Sequence, residues 1–227
     1  MMRSNSWVFM CAVAVLLACV LGAGCASSPK VERSGFLSDY SGLEPGPKGG
    51  AEMAYVKSGI DWSSYDSVLI EPVVVWYSPN ADYQGIHPRE LVELADYFEQ
   101  ALVENLEDKY AIVGRPGPGV LRVRVAITNV EPSNPTMDTV SAVVPQMRLV
   151  SAAKKGVTGT HMYVGEASME AEIYDSQTNE RLAAAIDTRA GEKEIFDEKD
   201  KWADAREAMD SWAERLRQRL DEGFIQE

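Results

Sequence analysis

Cysteine is nearly absent from this chain: Cys11, Cys19 and Cys25, the three in its 227 residues, all fall within the first 25. Everything downstream therefore lacks the means for a disulfide or a Cys-containing zinc site. Histidine is scarce as well, limited to His87 and His161. His87 directly precedes Pro88 and reads as part of a helix cap, while His161 has no cysteine or neighbouring acid at metal-ligand spacing. There is no Gly-x-Ser-x-Gly elbow, no His-Glu-x-x-His and no Ser-x-x-Lys with matching companions. The glycine-rich stretch 114–119 contains Pro116 and Pro118, which remove amide donors that a phosphate cradle needs, so it reads as a turn. No catalytic, cofactor-binding or metal-ligating residue is assigned, no cofactor is expected, and enzymatic activity is left open with a lean against it.

Positive charge is also short. Twenty-two Lys and Arg stand against 35 Asp and Glu, for a formal net charge of −13. Such a surface is repelled by nucleic acid and anionic head groups, which excludes a nucleic-acid partner. Solubility is its plain explanation. With 45% hydrophobic residues the chain still has ample material for a core.

The beginning of the chain is more specific. A short polar start carrying Arg3 is followed by an apolar run over 7–21, and then Gly22, Ala23 and Gly24 lead into Cys25. These are the parts of a secretory signal, 1–24, with a small-residue cleavage site. About 17 apolar or small residues are at the short limit for an uncleaved span. The segment resembles the lipobox of bacterial lipoproteins, with one departure: Gly22 takes the place of the usual leucine, and Leu21 lies one position back. The resemblance implies lipid on Cys25, hence a membrane attachment. Acyl chains at ~0.8 kcal/mol per buried methylene make a lasting anchor. Ala26, in place of Asp, resembles the outer-membrane sorting rule, so the expected location is the outer membrane, facing the periplasm.

From 25 to 62 the composition is Ser-, Gly- and Pro-rich and reads as a tether, but Phe36, Leu37, Tyr40 and Leu43 are apolar anchors that should lay part of it along a surface. The remaining 63–227 reads as one α+β domain. A strand is expected over 67–76, at an edge or bulged at Pro72. Pro88, Glu90 and the pair Ile86 and Leu91 mark a helix start, and Leu91, Leu94, Phe98, Leu102 and Leu106 form its buried stripe. Leu121, Val123, Val125 and Ile127 alternate with polar or small residues, as do Ala167, Met169, Ala171 and Ile173, the latter running through a turn at 175–179 into a third strand. A last helix carries Trp202, Ala205, Met209, Trp212, Leu216 and Leu220 on one face. These patterns predict a two-layer α+β sandwich, a roughly five-stranded, mainly antiparallel sheet with two helices packed on one face.

Two features are candidates for binding a partner. The stretch 132–161 breaks the periodicity yet holds Val140, Val143, Val144, Met147 and Leu149, and reads either as structure packed on the core or as an apolar loop that meets a partner or membrane. The other is a charged sheet face: Arg122 and Arg124 on one strand, Glu166, Glu170 and Glu172 on another, expected as exposed cross-strand ion pairs.

Segments 34–43, 65–73 and 171–176 (SGFLSDYSGL, YDSVLIEPV and AEIYDS) together resemble a bacterial lipoprotein family with a domain of unknown function, number 3313. The family assigns no catalytic residues. It implies that anchor, arm and α+β body form one unit. A non-enzymatic envelope module that binds a protein or polymer partner is the leading expectation. An envelope hydrolase and a self-associating structural lipoprotein are the alternatives.

Overall fold

The computed structural model describes residues 31–76, 86–133, 165–190 and 200–224. In chain order they form β1 (Glu44–Pro45), β2 (Met53–Val56), a 3-10 turn (Trp62–Ser64), β3 (Ser67–Ile70), β4 (Val74–Val75), α1 (Pro88–Leu106), β5 (Ala111–Ile112), β6 (Val120–Glu131), β7 (Glu166–Asp175), β8 (Arg181–Ala190) and α2 (Ala203–Glu222). The chain divides into two units, Met1–Glu32 and Arg33–Glu227, and all these elements belong to the second. Cys25, the segment 1–24 read as a signal, His161 and the candidates Val140, Val143, Val144, Met147 and Leu149 lie outside the described residues. Among the described residues, no helix is long and apolar enough to cross a membrane.

The sheet is larger than the expected five strands, and it is mixed. Its order is β1-β2-β8-β7-β6-β3-β5, with β4 also on β6. From β1 to β6 the neighbours are antiparallel, whereas β3 and β4 run parallel to β6, and β3 runs parallel to β5. The parallel part follows from α1, which carries the chain between β4 and β5; parallel neighbours require such a crossover. Within the segment read as a tether lie β1 and β2, and β2 is hydrogen-bonded along β8.

The expected strand 67–76 is two strands broken at Pro72. Ile70 is opposite Val123 and Val74 opposite Ala126, so four steps on one strand face three on the other. The extra residue is a bulge, and it falls where proline has no N–H to give. Helix α1 begins as its sequence signals require. His87 Nδ1 accepts the Arg89 N–H (3.1 Å), Glu90 accepts the His87 N–H (3.3 Å), and Pro88 occupies the first turn. His87 is thus a cap residue.

Both helices bury their apolar stripes in one core. Leu94, Phe98, Leu102, Met209 and Trp212 pack with Val123, Val125 and Ile127 of the sheet. A single buried carboxylate, Asp187 on β8 (3% exposed), ties three elements together here. It accepts the Trp212 indole N–H at 2.7 Å and the Glu52 amide at 3.0 Å, and pairs with Arg189 and Arg215 at 3.2 and 3.3 Å. Trp212→Phe keeps most of the packing and removes one donor from a buried anion. The expected outcome is a loss of about 2 kcal/mol, read as a lower urea midpoint with an unchanged slope.

Candidate functional site

On the sheet face away from the helices, strand alternation places Arg122 and Arg124 of β6 beside Glu170, Glu172 and Tyr174 of β7. The register sets Arg124 directly opposite Glu172 and Arg122 opposite Tyr174. Arg124 Nη1 lies 2.8 Å from Glu172 Oε2, and its Nε lies 3.2 Å from Glu71, which also pairs with Arg122 at 3.4 Å. The predicted cross-strand pairing of Arg124 with Glu172 is therefore present. The predicted exposure is not. Glu170 is 1% and Glu172 0% exposed, because residues 33–43 lie across them.

This arm is held chiefly by the two carboxylates. Glu170 accepts the Ser34 amide (2.7 Å), the Leu37 amide (3.1 Å) and the Tyr40 hydroxyl (2.6 Å). Glu172 accepts the Ser38 amide (2.9 Å) and the Ser38 hydroxyl (2.6 Å). The Ser38 hydroxyl has spent its one proton on Glu172, so the Tyr174 hydroxyl, 2.7 Å away, donates to Ser38. Around these bonds the arm packs by its rings. Phe36 sits under the Arg124 guanidinium, 4.9 Å from the ring centre, and edge-on to Trp76 at 5.6 Å. Trp76 in turn donates its indole N–H to the Ser34 carbonyl (3.2 Å). Gly35, at φ +92°, makes the bend that aims the amides of Ser34 and Leu37 at one carboxylate. At the far end Arg181 stacks on Tyr55 and donates to the Ser41 carbonyl.

Burial, then the hydrogen bond and charge of Glu170, push the Tyr40 hydroxyl above the ordinary phenol range. Burial likewise raises Tyr174. Asp39 is held below the usual carboxylate range by hydrogen bonds from Ser41. Among the described residues, no group of three or more His, Cys, Asp or Glu is placed to hold a metal ion.

Of the predicted site residues, Arg122, Arg124, Glu170 and Glu172 come together; Arg124, Glu170 and Glu172 contact the chain's own arm, while Arg122 pairs with Glu71 and lies over the Tyr174 ring. Glu71, Trp76, Ser34 and Ser38 complete the clamp without having been foreseen. The apolar anchors Phe36, Leu37 and Tyr40 were the signal for it, and all three lie on this face.

An arm, a sheet and a helix pair therefore define an α+β protein whose segment 33–43 is part of its folded body. The chain belongs to the family described as Protein of unknown function (DUF3313), whose model matches residues 32–216 and so takes in the arm as well as the sheet. No protein of curated function matches. Among solved structures, the PelC dodecamer from Paraburkholderia phytofirmans is 9% identical with a TM-score of 0.40, covering 74% of this chain and 94% of that one. Protein XCC0632 from Xanthomonas campestris is 14% identical with a TM-score of 0.43, covering 74% and 92%. A minor lipoprotein from Acinetobacter baumannii is 7% identical with a TM-score of 0.31, covering 70% and 94%. Likenesses this distant transfer neither role nor assembly to this chain.

Glu170→Gln replaces one acceptor oxygen with an NH2 group that faces an N–H or O–H of the arm. Losing a bond to a charged acceptor and leaving a buried donor unsatisfied costs about 2 kcal/mol. The expected outcome is arm release, seen as new chymotrypsin cleavage at Phe36, Leu37 and Tyr40 while the circular dichroism of the body persists. A second expectation concerns alkali. An unfolded tyrosine loses its proton near pH 10, and Tyr40 and Tyr174 lose theirs higher when folded. Their contribution to stability is thus full below pH 10 and is lost as pH rises through their raised values. Stability should fall above pH 10, and less steeply in Tyr40→Phe, as followed by phenolate absorbance and urea titration.

Proposed function

We propose that the protein is a non-enzymatic binding module of the bacterial envelope, held on the outer membrane by lipid on Cys25 and facing the periplasm. The observation that carries this reading is the arm clamp. The buried carboxylates Glu170 and Glu172 are committed to holding the segment that follows the lipobox, which makes attachment part of the fold. Eight peptide links separate Cys25 from Arg33, a reach of at most about 29 Å at ~3.6 Å per residue. The module would therefore work close to its membrane, on partners within that layer. The lipobox-like run before Cys25 and the Ala26 that follows it support the same reading.

The test is intact mass and membrane fractionation in a Gram-negative host. The wild-type chain is expected to begin at a triacylated Cys25 and to sediment with outer membranes, and Cys25→Ala to lose that attachment. A wild-type protein that is unlipidated and free in the periplasm would overturn the reading.

A further inference from the structure

The helix side of the sheet is not filled throughout. Ala54 of β2 is opposite Ala185 of β8, which is opposite Ala171 of β7, so three methyl groups line up across three strands. At about 4.8 Å between strands they make an even floor roughly 10 Å across. Above it, beneath Trp212 and Leu216 of α2, is a cavity of about 150 Å³. The three alanines, with Leu216 and Phe224, face the core yet are only partly buried, so the cavity is reached from solvent. Its walls carry the rings of Phe98, Trp212 and Phe224. Phe224 is set there at a backbone cost, since its φ of +54° lies in the left-handed region that a bulky side chain rarely adopts. Gly223, left-handed as well at φ +70°, ends α2. The Phe224 amide then donates to the Arg219 carbonyl (2.8 Å), and the ring stacks on Trp62 at 4.3 Å. Strain of this kind persists only where the surroundings enforce it, and it gathers at ligand sites. The charged side chains of the wall are engaged elsewhere, Arg215 with Asp187 at 3.3 Å and Arg219 with Glu222 at 3.9 Å. Among the described residues, no carboxylate lines the cavity.

We propose that this cavity binds a neutral molecule of one aromatic ring. An apolar cavity of this volume holds benzene. The methyl floor takes such a ring by its face, while Phe98, Trp212 and Phe224 offer edge and face contacts that reward an aromatic guest over a saturated one. With both arginines engaged and no carboxylate in the lining, neither an anion nor a cation is matched, so the guest is uncharged. The site is on the opposite side of the sheet from the arm clamp and does not require lipid on Cys25, so the two proposals fail separately.

The experiment uses the full chain in its host membranes and phenyldiazirine, a single-ring photoactivatable probe, with crosslinked peptides located by mass spectrometry. Crosslinks are expected on the segments bearing Ala171, Ala185 and Leu216, suppressed by excess benzene. Cyclohexane, of similar size without the ring electrons, should compete about fivefold more weakly, the worth of one or two ring contacts. Ala185→Leu puts a larger side chain into the cavity and should lower this crosslinking about tenfold with the thermal-aggregation midpoint kept; Ala171→Leu serves if the first variant fails to fold. Crosslinks scattered over the surface, or undiminished in both filled variants, would overturn the site. Equal competition by benzene and cyclohexane in the unaltered chain would overturn the ligand.

Discussion

Two ionised side chains at the centre of a sheet strand constrain everything around them. Glu170 and Glu172 alternate on β7 and are buried, and taking a carboxylate out of water costs several kcal/mol unless donors replace the solvent. The neighbouring strand β6 supplies one cation, Arg124, to Glu172. The remaining donors come from the arm: three backbone amides and two hydroxyls. The sheet face is thus incomplete without residues 33–43, and the arm has no reason to adopt its bend at Gly35 without the sheet.

The same device recurs on the opposite face. Asp187 of β8 points toward the helices, is buried, and is satisfied by Trp212 of α2, Glu52 next to β2, and two arginines. One hairpin, β7–β8, therefore carries buried carboxylates on both faces, and each fastens an outer layer. The result is arm, sheet and helices in sequence, a three-layered body. Apolar packing supplies the bulk of the helix layer, while the arm contributes only Phe36 and Leu37 as buried apolar residues. Polar bonds therefore carry more of the attachment on the arm side than on the helix side.

Long elements with one apolar stripe were legible in the sequence: α1, α2, β6 and the β7–β8 hairpin follow their periodicities. So was the break at Pro72. Strands β1 and β5 were not, since each has two residues, too few to show an alternation. β2 is half-buried at all four positions, so no period appears. Strand direction was also hidden, because a side-chain pattern does not record which way the neighbouring strand runs. The clamp was half legible. Alternation placed Glu170 and Glu172 away from the helices, where charge normally means solvent. Their cover comes from residues more than 130 positions earlier, and no local pattern could pair the two segments.

The use of carboxylates here, in place of an apolar cover, has a structural consequence. An apolar strip packed on an apolar face tolerates sliding, because dispersion contacts are not directional. Hydrogen bonds from specified amides do not. Moving the arm by one residue would withdraw the amides of Ser34, Leu37 and Ser38 from their acceptors together and lift Phe36 from between Arg124 and Trp76. Each withdrawn donor would leave part of a buried anion unpaired, a penalty larger than the bond itself was worth. The arm is therefore fixed in register as firmly as a paired strand is.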